Sequence, residues 1–357
     1  MYNLDKIGNK NINERFSNFE LLRIFAILLI ILSHLSGHGI RTQVSLLNDT
    51  ILQQINNLFL VMFSFSGKIG VNIFLLISGF FLINKNFKPK NFIKIYIMTL
   101  FYSLIFLLAA FLIGSHSIKP IKILMSIFPI GGNAYWFVTN YLVLYIFIDY
   151  INCFLRQLTQ KGYLRFLTIC FVLWSIIPTL TIKANYGFSN LGWFIFMYSI
   201  GAYLKIFNIK FKTLNCIYLL LTFIIIQLGI IYTFILLGSK TIPTYFFNIN
   251  NIYQFIIAFS FFNIFNNLTI NKNTLINKIA SSVFAIYIIH DNLFVRPYLW
   301  HNILHIEKIL YLNNYVLITF FTVFCVFCFC IIIDKICYMI YNPIILFVTK
   351  IIDKYCK

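Results

Sequence analysis

The sequence predicts an all-α, polytopic membrane protein with about ten transmembrane helices and both termini in the cytoplasm. Three observations carry that expectation. Of the 357 residues, 61% are hydrophobic and only 10% charged, more apolar side chain than a soluble fold can bury. The apolar residues gather in runs of about 20, the length a helix needs to cross roughly 30 Å of hydrocarbon at about 1.5 Å per residue. The cations behind the formal net charge of +19 sit between these runs, not on one separate domain, which argues against nucleic acid as a partner and reports topology instead.

The expected spans are 19–40, 55–82, 92–115, 134–155, 163–182, 191–204, 214–237, 252–265, 279–298 and 315–333. The first follows a polar stretch and has no small-residue cleavage site, so it is expected to remain as a helix. The second closes on Ser78-Gly79-Phe80, and the fourth opens on Tyr135 and Trp136 after a Gly131-Gly132 turn. With the N-terminus inside, cytoplasmic segments hold most of the 28 Lys and Arg, among them Lys6, Lys10, Arg15, Lys85, Lys88, Lys90, Lys94, Lys335 and Lys357. Arg41, Lys119, Lys122, Lys183, Lys240 and Lys308 fall to the outer side. Past residue 335, Asn342-Pro343 is expected to interrupt the helix and leave an interfacial one on the cytoplasmic face. The chain thus divides into a cytoplasmic segment 1–18, a membrane domain 19–335 and a tail 336–357. The abundance of Asn, Ile, Lys and Phe hints at an AT-rich bacterial coding sequence, hence at a bacterial inner membrane.

The eight cysteines, from Cys153 to Cys356, lie almost wholly within spans or on the reducing side, where disulfides are not expected. Cys325, Cys328 and Cys330 lack a nearby His or carboxylate and are expected to be apolar filler. His116, His301 and His305 fall in outer loops, and no metal site is expected from them despite the i,i+4 spacing of the last two.

Titratable side chains inside a span cost several kcal/mol unless they face a bundle interior or a wet cavity. The first span carries Glu20, Arg23, His34 and His38. At about 100° per residue, Arg23 and His34 come within about 20° of eclipse, with Glu20 and His38 near the same line, so the four form one stripe. It separates Arg23 from His34 by roughly 16 Å along the helix. One reading makes Glu20 and Arg23 an interfacial i,i+3 pair and His34 a core histidine bonded to a neighbouring helix. The other makes His34 a general base on a hydroxyl, or an acyl acceptor, with Arg23 toward the cytoplasm suited to a donor's phosphates.

The stretch NFELLRIFAILLIILSHLSGHG resembles the opening helix of the integral-membrane acyltransferase-3 family, whose signature is a basic residue, ten others and a histidine, here Arg23 and His34. GVNIFLLISGFFL, YWFVTNYLVLYI and SSVFAIYIIHDNLFVRPYLW are similar to later helices of that family in the expected order. The resemblance implies acyl-CoA as donor substrate with no other cofactor, and O-acylation of an extracytoplasmic envelope polysaccharide or its lipid-linked precursor. One departure is that a frequent arginine pair after the second helix is replaced here by Lys88, Lys90 and Lys94. These keep the charge without the bidentate fork.

Five further groups are candidates. His290 and Asp291 are expected at a depth similar to His34, where the Asp either orients an imidazole or pairs with Arg296. Tyr287 lies on the same face as His290, either as a hydrogen-bond donor or as packing. Trp136 and Tyr135 either stack on sugar rings or form an interfacial aromatic belt. Ser78 with Gly79 allows close approach of a helix or of the donor's pantetheine arm, and Lys68 either snorkels outward or lines an acceptor vestibule. The sequence therefore points to a membrane O-acetyltransferase with catalytic His34, Asp291 and His290, donor contacts from Arg23, Glu20, Lys88, Lys90, Lys94 and Ser78, and cavity residues Tyr287, Trp136 and His38. Its rivals are an envelope-polysaccharide transporter or flippase and a glycan polymerase.

Overall fold

The structure, a computed structural model, describes residues 16–40, 51–114, 118–131, 134–181, 189–237 and 248–355. The expected cations Lys6, Lys10, Arg15, Arg41, Lys183, Lys240 and Lys357, with His116, Gly132 and Cys356, lie outside the described residues. Every regular element among the described residues is helical. In order they are α1 (Ser17–His34, continued by a π-helical Leu35–Ile40), α2 (Ile51–Leu82), α3 (Pro89–Leu112), α4 (Pro120–Ile127), α5 (Trp136–Ile146) and α6 (Ile148–Gln157). There follow α7 (Gln160–Phe171, continued by a π-helical Val172–Ile176), α8 (Ile177–Thr181), α9 (Asn190–Ile206), α10 (Thr213–Leu236) and α11 (Ile252–Asn267). The last are α12 (Thr274–Ala280), α13 (Val283–His290), α14 (Val295–Pro297), the π-helical Tyr298–Ile303, the 3₁₀-helical Ile306–Tyr311 and α15 (Tyr315–Tyr355).

Local sequence sets the helix starts. Pro89 and Pro120 open α3 and α4, where a missing N–H costs nothing. Thr159, Ser189, Asn251 and Asn273 cap α7, α9, α11 and α12, each accepting a first-turn backbone N–H.

Six of the described helical stretches are long and apolar enough to cross a bilayer, and two bent pairs raise the number to eight. Eight of the ten expected spans are accounted for in this way. The other two are α9 and α11, whose 17 and 16 residues stand at the lower limit of spanning length. The α5–α6 pair bends by 62°, and the expected straight span 279–298 is broken by 87° between the stretches Thr274–His290 and Val295–Ile303. At the far end, Pro343 does not interrupt α15, which runs 41 residues, roughly 60 Å. The extension is tied to α3: Asp334 is buried and accepts hydrogen bonds of 2.9 Å from both Tyr102 and Tyr341, and Lys90 pairs with Asp353.

Helix α2 is the hub. A side-chain atom at Gly79 would collide with the Tyr198 carbonyl of α9, and one at Gly201 would collide with the Leu76 carbonyl of α2. The two backbones thus meet through reciprocal glycines, so Gly79 serves helix packing. On its other side Gly67 and Gly70 bring α2 against Ser33 and Ala26 of α1. Two hydroxyls then bond across that seam, Ser33 Oγ to the Ser64 carbonyl at 2.6 Å and Ser66 Oγ to the Leu29 carbonyl at 2.8 Å. Asn152 donates to the Leu82 and Lys85 carbonyls, satisfying groups left open where α2 ends.

Candidate active site

A cavity of about 910 Å³ runs along the inner face of α1. Glu20 and Arg23 line one end, and His34 and His38 the other, so the stripe predicted from helical periodicity borders one continuous space. Such a volume suits a small-molecule or cofactor-sized ligand.

At the Arg23 end, Arg23 Nη1 donates to Glu20 Oε1 at 2.5 Å, and Arg23 remains about a third exposed. The wall there also holds Ser78, Tyr141, Asn91, Lys94 and Met98. Of the three loop lysines, Lys94 alone faces the cavity. Lys88 caps α3 from an exposed position, and Lys90, half exposed, is ion-paired with Asp353. Lys88 and Lys90, also expected as donor contacts, thus lie off this cavity wall. Their place at the start of α3 turns them to the surface, whereas Asn91, Lys94, Ile95 and Met98 follow i, i+3, i+4, i+7 spacing on the cavity face. The Ser78 hydroxyl donates to the Phe74 carbonyl at 2.8 Å, and its oxygen remains able to accept.

The His34 end is built by two departures from regular helix. At His34 helix α1 gives way to a π-helical turn, a distortion common at functional sites. It holds the His38 ring 5.2 Å from the His34 ring, with His38 exposed. Across from it, α13 ends at His290. Asn292 then folds its side chain back, accepting the Phe294 N–H at 2.9 Å and donating to the Tyr135 hydroxyl at 2.7 Å. That local bond competes with the helix and produces the 87° break. Non-helical backbone at membrane depth is tolerated where protein surrounds it or it lines a cavity.

The break brings two groups onto one imidazole edge. His34 Nδ1 lies 2.9 Å from His290 Nε2 and 3.5 Å from Asp291 Oδ1. His290 Nδ1 lies 2.5 Å from the Ile286 carbonyl, which can only accept, so this nitrogen carries the proton. With His290 neutral its Nε2 is an acceptor, and His34 must donate from Nδ1. The nitrogen of His34 left with a lone pair is Nε2. His290 itself is fully buried and is not part of the cavity wall, which it reaches only through its contact with His34. Asp291 reaches the cavity and pairs more closely with Arg296, at 2.7 Å, than with His34. Both alternatives left open by the sequence are therefore present, with Arg296 the nearer partner.

Tyr287 lines the same space, and its buried hydroxyl proton has no acceptor among the described residues. Trp136 lines the cavity and packs edge-on to Phe194. It is thus an inward aromatic, not part of a lipid-facing belt. Tyr135 is corrected in the opposite sense: it is buried, with its hydroxyl donating to the Ile288 carbonyl at 3.3 Å, and has no surface for stacking on a sugar. His34, His38 and Asp291 present ligand atoms within 4.8 Å of one another. The Asp291 pairing with Arg296 and the His34 contact with His290 commit two of those three groups to partners inside the protein.

The acyltransferase-3 family model, described as an acyltransferase domain, matches residues 16–335, from the start of α1 to the middle of α15. No curated protein and no solved structure matches the chain. The matched region contains both ends of the cavity and every residue that touches His34 Nδ1. The chain is a multi-pass membrane protein and belongs to the acyltransferase-3 family of acyltransferases.

Proposed function

We propose that the protein transfers an acyl group, acetyl in the first instance, from cytoplasmic acyl-CoA to a hydroxyl of an envelope glycan on the far side of a bacterial inner membrane. The observation that carries this reading is the single cavity joining a cationic end, Arg23 and Lys94, to an imidazole with a free nitrogen, His34. Both termini are cytoplasmic in this reading, so the phosphates of the donor meet Arg23 and Lys94 while its thioester extends toward His34.

His34 Nε2 takes the proton of the acceptor hydroxyl as the oxygen attacks the thioester carbonyl. The oxyanion that forms collapses, the carbon–sulfur bond breaks, and the CoA thiolate recovers the proton from His34. During this cycle His34 is an imidazolium whose Nδ1–H faces His290 Nε2 and the Asp291 carboxylate, the arrangement that stabilises such a cation. Tyr287 supplies an uncommitted O–H for the oxyanion. Glu20 holds Arg23 in place, at 2.5 Å.

The test is His34→Ala in a cell that displays the polysaccharide, with proton NMR of the polymer before and after mild base. Loss of base-labile acetyl signals with unchanged chain length and export is the expected result. Intact acetylation in a well-expressed variant overturns the reading, and loss of the surface polymer itself assigns the protein to export instead.

A further inference from the structure

The charged groups along the cavity are unequally matched. Its wall carries the cations Arg23, Lys94, Lys68 and Arg296 against only two carboxylates, Glu20 and Asp291. Glu20 is taken by Arg23 and Asp291 by Arg296, each within ion-pair distance. Lys94 belongs to the end assigned to the donor's phosphates. Lys68 is left over, with no carboxylate within ion-pair distance among the described residues.

Lys68 is fixed at the far end of the cavity. It follows Gly67, whose backbone is pressed against Ser33, the residue before His34, and it lies within electrostatic reach of both His34 and Asp291. Its ammonium sits 4.9 Å from the centre of the Trp136 ring, which is also on the cavity wall. An aromatic face can hold a cation, and an indole is also a platform for a sugar ring. Here one platform carries an ammonium that no carboxylate among the described residues meets at ion-pair distance, in a space where an unpaired charge is costly.

From this juxtaposition we infer that the His34 end of the cavity is a binding site for a carboxylate-bearing substrate, with Lys68 as its counter-ion and Trp136 as its stacking surface. The inference rests on the acyl-transfer reading for its account of what enters the cavity. The carboxylate has two possible sources: an acidic sugar in the acceptor, such as a uronic acid, or the free end of a dicarboxylic acyl group. The ammonium recognises either by the same charge-assisted hydrogen bond.

Binding tests this apart from turnover. The full-length protein in detergent micelles is titrated with methyl glucuronoside and methyl glucoside, following tryptophan fluorescence, with Trp136→Phe identifying the signal. The expected result is binding of the glucuronoside roughly tenfold or more tighter than the glucoside, a preference erased in Lys68→Met and restored in Lys68→Arg. If the sugars are not distinguished but succinyl-CoA is preferred to acetyl-CoA in the same Lys68-dependent way, the site stands and its carboxylate comes from the acyl chain. Equal binding within both pairs overturns the inference, as does a preference that survives in a folded Lys68→Met protein. Absence of acyl transfer alongside a Lys68-dependent preference counts against the transfer reading alone.

Discussion

Replacing His290 isolates the role of a residue that lies behind the cavity wall. Its Nε2 accepts from His34 Nδ1 at 2.9 Å, and its own Nδ1 is anchored on the Ile286 carbonyl. While His34 is neutral, that bond is worth about 0.5–1.5 kcal/mol net. Once His34 holds the acceptor's proton the bond is charge-assisted and worth about 1.5–3 kcal/mol. The difference, about 1–2 kcal/mol, acts only as the transition state is approached, and corresponds to roughly a 5- to 30-fold fall in kcat. His290→Phe preserves bulk and removes the acceptor, whereas His290→Gln keeps a carbonyl oxygen able to accept from His34. The assay is transfer of radiolabelled acetyl from acetyl-CoA to envelope glycan in membrane vesicles, with protein folding checked by gel filtration in detergent. His290→Phe is expected to lose rate within that range at unchanged KM for acetyl-CoA, and His290→Gln to recover most of it. A folded His290→Phe enzyme at the full rate, or a Gln variant as slow as Phe, refutes the argument that His290 fixes the His34 tautomer.

Arg23→Gln and Lys94→Met remove cations from the cavity wall and should each raise KM for acyl-CoA by about tenfold, while Lys90→Ala, which breaks only an exposed pair with Asp353, should change it less than about twofold; initial rates against acyl-CoA concentration separate them. Gly201→Ala forces a side-chain atom into the Leu76 carbonyl and should destabilise the bundle by about 1–3 kcal/mol, seen as a lowered Tm in detergent. Asp334→Leu leaves the Tyr102 and Tyr341 hydroxyls without an acceptor in a buried site, and a loss of about 2–5 kcal/mol is expected from the same melting measurement.

What could be seen in the sequence follows the range of the physics involved. The α1 stripe was legible because it needs only the helical repeat: Arg23 and His34 share a face wherever the helix goes. The topology of apolar runs was legible for the same reason, although a run of the right length does not reveal whether it stays straight. The break after His290 depends on Asn292 finding the Tyr135 hydroxyl, from an element far away in the chain, and the reciprocal Gly79 and Gly201 contacts depend likewise on a distant helix. Pro343 misled in the other direction. A proline removes one backbone donor, and contacts of α15 with α3 through Asp334 and Asp353 hold the helix on both sides of it.

Lys94 is the instructive case, because the signal that sets it apart from Lys88 and Lys90 was present. Taken as a charged loop, Lys88, Lys90 and Lys94 look equivalent. Taken as the first turns of a helix opened by Pro89, they separate at once, since Asn91, Lys94, Ile95 and Met98 keep the spacing of one face and Lys88 and Lys90 do not. The other end of the cavity has a parallel. Lys68 stands one residue after Gly67, and a glycine pressed against α1 fixes which neighbour can turn inward. In a membrane bundle a cation is thus assigned by the face it occupies and by the contact that orients that face, and net charge along the chain decides only the side of the bilayer.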